Sequence, residues 1–593
     1  MTHKDLRIKF VQFWEEKPRN HKYVPPAQLV LSNDATTLFT SSGMQPLVPY
    51  LMGETHQKGN RLYNIQPCIR TQDIEGVGDN RHTTFFEMMG NWSLGDYFKK
   101  EQLSWMFDFF SKKLGMPEEK LYITVFKGDY GVPKDEESAE AWKKLGIPNE
   151  RIFYYGADKN WWSRSGRPDQ MPVGEIGGPD SEIFYDFGTK HDPQFGKECH
   201  PNCDCGRFLE IGNSVFIEYQ KKEDGKLSEL TQKNVDYGGG LERILAACNN
   251  IPDIFQIDIF VNIISEIEKE TGLLYSDKKN QEAMRVVADH MRAAVFMIID
   301  GVLPAKKEHG YVLRRMLRRS AVKMHFLKRN LTPNFYSIIG REILRIYDKE
   351  QNVNKKDQQD IVAKVISQEM NKFSETLDKG LRLFEKKQDI NEKIAFDLYQ
   401  SYGFPFEITQ ELARQKGLDL NKRLFEEELE SHKSLSRTAS AGKFKGGLSD
   451  HSDQVIKYHT ATHLLHQALR DVFGNSARQE GSNITQERLR FDVRLDHKLT
   501  EEDAKRVEKI INDRIDENLE VFYKIMPREE AERIGAASFF KEKYGDEVKV
   551  YFIGDYSKEF CGGPHVRTTS EIGHIHIKKV KKIGEKLVRI YAE

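Results

Sequence analysis

Two hydrophobic rhythms alternate along the 593 residues. Up to about residue 245, short apolar and aromatic runs recur between glycines and helical stretches. They read Leu-Tyr-Ile-Thr-Val-Phe at 121–126, Ile-Phe-Tyr-Tyr at 152–155, Glu-Ile-Phe-Tyr-Asp-Phe at 182–187 and Ser-Val-Phe-Ile-Glu-Tyr at 214–219. There is no strand–helix–strand alternation and no glycine-rich phosphate loop of the P-loop or Rossmann kind. The pattern predicts an α+β region built on a mainly antiparallel sheet. From 246 to about 440 the period changes to that of helices, as in the charged, amphipathic stretch 361–387. Residues 434–452, rich in Ser, Gly and Lys, read as a linker or flexible loop. From about 453 onward the pattern is mixed α/β again. No internal repeat is visible. The expected organisation is an α+β multidomain chain divided at 1–245, 246–445 and 446–593.

Composition narrows the class. Hydrophobic residues make up 38% and charged residues 31%, enough for large cores in a soluble chain. No apolar run approaches the ~18 residues of a membrane span. The N-terminus lacks the apolar core and cleavage site of a signal peptide. Six cysteines, grouped with histidines, point to metal or catalysis in a reducing cytoplasm rather than to disulfides. The net charge of −1 excludes a general polycation, so a nucleic-acid partner would need a local basic patch. One runs from Lys306 to Arg329, with nine Lys or Arg and one acid, Glu308. Arg314, Arg315, Arg318 and Arg319 fall at helical spacing. An amphipathic helix there would bury Val312, Leu313, Met316 and Leu317 and present the arginines to a phosphate backbone, or simply to solvent.

Three clusters carry candidate chemistry. Residues 61–100 set Arg70, Arg81 and His82 near glycine-rich turns, with Phe85 and Phe86 leading into Glu87. Cations for phosphates beside an aromatic slot for a base suit a nucleotide triphosphate, although a sheet edge with ordinary surface charge has the same composition. At 234–245 three glycines run into a helix opening on Leu241, Glu242 and Arg243. Glycine admits close backbone approach, and a helix N-terminus favours an anion. In the last region His459 and His463 lie four apart on a predicted helix, so both rings share one face. Cys561 and His565 repeat that spacing across a Gly-Gly-Pro turn. A Cys/His set of four is zinc's preference. Thr460 occupies the glutamate position of a His-Glu-x-x-His protease motif, which argues against that class. A separate group, Cys199, His200, Cys203 and Cys205, is a candidate second structural zinc site, with free loop thiols as the alternative.

The stretches 61–100 and 234–245 closely resemble motifs 2 and 3 of class II aminoacyl-tRNA synthetases, specifically the alanyl-tRNA synthetase family. Motif 1 is similar at 31–53, and 285–304 and 310–320 are also close. The resemblance covers nearly the whole chain. It implies a six- or seven-stranded antiparallel catalytic sheet binding bent ATP with Mg²⁺, then a helical tRNA-binding domain, then an α/β zinc-binding editing domain. Arg70 would contact the α-phosphate and Arg243 the ATP tail. His82, Glu87 and Met88 would also serve ATP. Trp162, Val215 and Asp236 would line the alanine pocket, with Asp236 on the ammonium, and Arg70, Asp236 and Arg243 would be the catalytic set. His459, His463, Cys561 and His565 match the editing zinc ligands, and Thr462 and Gln479 match its pocket. Lys306, Arg314, Arg318 and Gln400 would face the tRNA. Lys306 and Gln400 replace the Asn and Asp with which the family commonly reads an acceptor-stem G·U pair. The implied partners are alanine tRNA, ATP and L-alanine, with hydrolysis of seryl- and glycyl-tRNA as a second activity and no membrane. The sequence ends where the family usually continues into a dimerisation segment, so a monomer is the expectation. Two alternatives are a trans-editing deacylase without synthetase activity and a non-catalytic RNA-binding protein.

Overall fold

The computed structural model describes residues 1–31, 37–332, 334–347, 356–387, 389–429, 452–497, 499–537, 547–583 and 586–593. The linker expected at 434–452 lies, but for its last residue, outside the described residues, as does 32–36 of the motif 1 stretch. The chain divides into two compact units, 1–419 and 420–593.

The first unit is organised by a sheet of nine described strands. They are β1 Lys22–Tyr23, β2 Arg61–Ile69, β3 Phe85–Leu94, β4 Leu121–Phe126, β5 Ile152–Tyr155, β6 Trp161–Ser163, β7 Ile176–Asp186, β8 Phe208–Lys221 and β9 Leu227–Gly240. Their order is β1-β2-β3-β9-β8-β7-β4-β5, with β6 on β7. All four sequence runs read as strands fall in it, as β4, β5 and parts of β7 and β8. Pairing is antiparallel except at the two margins, β1–β2 and β4–β5. Those short marginal strands and β6 bring the count above the six or seven implied by the resemblance.

One face of the sheet is covered by helices. Phe85 stacks on Phe296 of the helix Lys278–Ile299, ring centroids 4.3 Å apart. Beside them Arg292 is wholly buried. It pairs with Glu242, lies 3.7 Å from Glu87, and donates to the Phe85 carbonyl at 3.1 Å. Glu87 also pairs with Arg7 of the helix His3–Glu15. A buried charge demands such partners, and here they tie together the sheet and three helices. Farther on, Asp289 accepts from the Thr84 N–H at 2.9 Å, anchoring the end of the β2–β3 loop to the same helix.

In the second unit the helix Asp453–Phe473 packs on a sheet of order β10-β11-β16-β15, namely Arg478–Ile484, Leu489–Arg494, Leu587–Ala592 and Ile577–Lys582. The shared core includes Leu464, Leu465, Phe491 and Ile590. A second sheet joins β12 Val521–Pro527, β13 Glu547–Ile553 and β14 Ser557–Phe560. No described helix is long and apolar enough to cross a membrane.

Candidate functional site

In the first unit the face opposite the helices carries the expected nucleotide and amino-acid residues. Side chains alternate along a strand, and directly opposed residues share a face. Met88, Gly90 and Trp92 of β3 oppose Gly240, Gly238 and Asp236 of β9, and Asp236 in turn opposes Val215 of β8. There the Trp92 ring lies over Gly90 and the Met88 side chain over Gly238, with Asp236 and Val215 alongside. The glycines are required there. A Cβ on Gly90 would lie 2.5 Å from the Trp92 ring, and one on Gly238 would lie 2.8 Å from the Met88 sulfur. Trp162 on β6 packs against the same apolar cluster as Trp92 and Val215. Asp236 is 8% exposed, and its Oδ1 accepts the Trp92 Nε1–H at 2.6 Å. Burial pushes its carboxyl up to about 7, opposed by that hydrogen bond.

Arg70 follows β2, its guanidinium 4.9 Å from the Phe86 ring centroid. Arg243 sits in the first turn of the helix Leu241–Cys248, 3.1 Å from Glu210. His82, in the β2–β3 loop, is held by Asp79, which accepts from both its backbone N–H and Nδ1, at 2.8 and 2.6 Å. Glu87 lies on the other face. Its carboxylate is used by Arg7 and Arg292, so its side chain does not reach the face that carries Met88. Sequence reading named Phe86 but passed over Trp92 and Glu210. Trp92 was available from the alternation that contains Met88, but its partner Asp236 lies far off in the chain.

The helix Glu308–Leu327 differs from expectation. Arg314 and Arg318 both pair with Glu369, Arg315 pairs with Glu75, and Arg319 pairs with Glu411. Arg318 is 8% exposed. The arginine stripe is therefore turned inward onto acids of its own unit, while Lys306 and Gln400 are exposed. The cysteine group is also differently built. Cys199, Cys203 and Cys205 converge with His191, all four donor atoms within 4.8 Å of one another. His200, the expected fourth member, instead lies 2.9 Å from the Tyr155 hydroxyl through Nδ1.

In the second unit the four expected ligands converge. The donor atoms of His459, His463, Cys561 and His565 lie within 4.8 Å of one another. The helix Asp453–Phe473 supplies the first two from one face, and the turn after β14 supplies the others. Cys561 Sγ is 3.5 Å from His459 Nε2 and 3.4 Å from His565 Nε2. A tetrahedral zinc with Zn–S near 2.3 Å and Zn–N near 2.1 Å has S···N edges of about 3.6 Å. Every ring is set by its other nitrogen. His459 Nδ1 donates to the Pro564 carbonyl at 2.9 Å. Thr460 gives its hydroxyl proton to the Ile456 carbonyl, so at 3.2 Å it accepts from His565 Nδ1. Glu559 takes His463 Nδ1 and, at 2.7 Å, His466 Nδ1. Nε2 of all three imidazoles is thereby aimed inward, the arrangement a metal needs. Burial opposes ionisation of Cys561, but hydrogen bonds from His459, His463 and His565 hold its thiol well below the ordinary value. Nearby, Thr462 is buried and donates to the His459 carbonyl at 2.6 Å, and Gln479 lies half-buried on β10. Glu559 was not anticipated, since nothing in the sequence marks a carboxylate two residues before a cysteine.

The chain is similar to known proteins along its whole length. Residues 5–487 match the model of "tRNA synthetases class II (A)", and 548–591 match "Threonyl and Alanyl tRNA synthetase second additional domain". An alanine–tRNA ligase of Treponema denticola is 45% identical over 612 residues, spanning 100% of this chain and 99% of that protein. One from Borreliella afzelii is 42% identical at the same coverages. One from Petrotoga mobilis is 33% identical, and there the match spans 79% of the relative. With the full chain aligned at this identity, and a class II model covering most of it, the chain belongs to the alanine–tRNA ligase family.

Proposed function

We propose that this chain uses ATP to convert L-alanine to alanyl-adenylate, transfers it to the 3′ end of alanine tRNA, and hydrolyses seryl- and glycyl-tRNA at a separate zinc-bearing site. The observation that carries the reading is Asp236, a buried carboxylate held by the Trp92 indole. A carboxylate so placed suits an α-ammonium, and Val215 with Trp162, in one apolar cluster, would bound a pocket of methyl size. On this reading Arg70 meets the α-phosphate beside Phe86, Arg243 holds the ATP tail, and His82 and Met88 complete the nucleotide site, with Mg²⁺ arriving on the ATP. Catalysis is then positioning and charge stabilisation by preorganised groups. Lys306 and Gln400 are the exposed candidates for tRNA contact, and we assign recognition of the acceptor arm to 246–445, activation to 1–245 and editing to 446–593.

A methyl-sized pocket would exclude larger side chains by bulk. One methyl or one added hydroxyl changes binding by only ~1–3 kcal/mol, so glycine and serine enter too often and a second site must remove them. We assign that step to His459, His463, Cys561 and His565, with Thr462 and Gln479 beside the substrate. A zinc ion bound there would supply a Lewis acid that polarises water or the ester carbonyl. The chain's own part is to hold three imidazoles in the metal-binding tautomer through Pro564, Thr460 and Glu559.

Amino-acid-dependent exchange of pyrophosphate into ATP tests the first activity. Alanine should support exchange far above all larger amino acids. Absence of alanine-dependent exchange, with seryl-tRNA hydrolysis intact, would leave only a deacylase.

A further inference from the structure

We propose that His191, Cys199, Cys203 and Cys205 form a second zinc site, distinct from the editing centre, that braces the β2–β3 loop. The donor set is three thiols and one imidazole, a set zinc favours. The spacing is that of a coordination tetrahedron. Cys199 Sγ and Cys205 Sγ are 3.6 Å apart, and Cys203 Sγ and His191 Nδ1 are 3.7 Å apart. With Zn–S near 2.3 Å and Zn–N near 2.1 Å, tetrahedral edges are about 3.8 Å for S···S and about 3.6 Å for S···N. A disulfide needs sulfurs ~2.05 Å apart, and all three cysteines are free.

The local chain is arranged around these four atoms. His191 Nε2 donates to the Gly196 carbonyl at 3.0 Å, which leaves Nδ1 as the lone-pair nitrogen facing Cys203. This is the same fixing of tautomer by the far nitrogen that the editing histidines show. A turn closed by the Cys203 N–H on the His200 carbonyl, at 2.8 Å, brings Cys199 and Cys203 together. Gly206, with φ +81°, then turns the chain back into β8. Little else holds this excursion. Between Phe187 and Arg207 the one other large apolar side chain, Phe195, is 50% exposed. A segment without a core needs a staple, and a metal serves as one. Each thiol that binds gives up its proton to solvent.

The site has a neighbour that gives it a use. Asp204, between two of the ligands, accepts from Arg81 Nη2 through its backbone carbonyl at 2.7 Å. Arg81 and His82 share Asp79 as acceptor for their backbone N–H groups, at 3.0 and 2.8 Å. The ligand loop therefore holds one side of the turn that carries His82. This bracing role rests on the ATP assignment above, whereas the metal site itself does not.

Metal analysis of the whole protein separates the two. The wild type should carry two zinc per chain, Cys561→Ala one and His191→Ala one, while His200→Ala should keep two. Cobalt loaded into the Cys561→Ala protein should show an intense thiolate charge-transfer band, which Cys203→Ser weakens. Cobalt titration of the unaltered protein requires no variant to fold. Two equivalents with strong thiolate absorption are expected, and saturation at one equivalent with the weak band of a single thiolate would overturn the site. Loss of metal in His200→Ala with retention in His191→Ala would overturn the ligand set. For the brace, His191→Ala should raise the KM for ATP several-fold and leave seryl-tRNA hydrolysis unchanged. An unmoved KM in protein that has lost the metal would overturn the brace alone.

Discussion

Replacing Asp236 by asparagine isolates a single charge. The side chain keeps its shape, and its amide oxygen still accepts the Trp92 Nε1–H that now lies 2.6 Å from Oδ1. What disappears is the negative charge facing the amino-acid site. A hydrogen bond to a charged group contributes ~1.5–3 kcal/mol, and each 1.4 kcal/mol is about tenfold, so alanine kcat/KM should fall about ten- to a hundredfold. The KM for ATP should not move, because Arg70, Phe86 and Arg243 are untouched. The fold should not suffer either. The carboxylate is buried and its ionised form is costly there, as its shift to about 7 records, so the amide removes a desolvation cost. The assay is pyrophosphate exchange with alanine and ATP varied in turn, beside a thermal melt. Equal losses for both substrates, or a melting temperature well below wild type, would refute the assignment of Asp236 to the ammonium.

Because that carboxyl takes its proton near pH 7, the KM for alanine should rise as pH is lowered from about 8 to about 6, with the KM for ATP flat, and the profile should vanish in Asp236→Asn; a pH series of exchange rates reads this. Between about pH 4 and about pH 7 the folded state holds a proton on Asp236 that the unfolded chain has released, so this group's contribution to stability falls as pH rises through that window, which melts of wild type and Asp236→Asn compare. Trp92→Phe keeps an aromatic ring, though a smaller one, and removes the donor that lowers the Asp236 pKa, so the midpoint of the alanine profile should move to higher pH. Cys561→Ala should abolish hydrolysis of seryl-tRNA and release one zinc while alanine activation continues; collapse of both activities would sink the separation of the sites.

What was legible in the sequence follows from how local each signal is. β4 and β5 could be read because aromatic and β-branched residues cluster within a few positions. β9 could not, since it ends in glycines that read as the start of a helix, and only its pairing with β3 and β8 makes it a strand. His459 and His463 announced themselves by helical spacing. His191 did not, because it lies eight residues before Cys199, while His200 stands beside that cysteine yet turns to Tyr155. The arginines of 314–319 formed a readable stripe, but the acids that take them lie 51 residues away for Arg318 and 92 for Arg319. A one-dimensional pattern shows that a face is charged and not what it meets.

The buried charges around Arg292 join segments that lie far apart in the order of synthesis. During synthesis the sheet strands and the helix Leu241–Cys248 emerge first, bearing Glu87 and Glu242, each all but inaccessible in the finished unit. Their shared cation arrives some fifty residues after Glu242, on the helix Lys278–Ile299. Glu87 has Arg7 as well, so it is Glu242 that a missing Arg292 would leave unpaired, and a buried pair broken on one side costs ~3–5 kcal/mol. A sheet closed without Arg292 would carry that cost at Glu242. A polypeptide ending at residue 245 would lack this cation, whereas one ending at 419 would contain it.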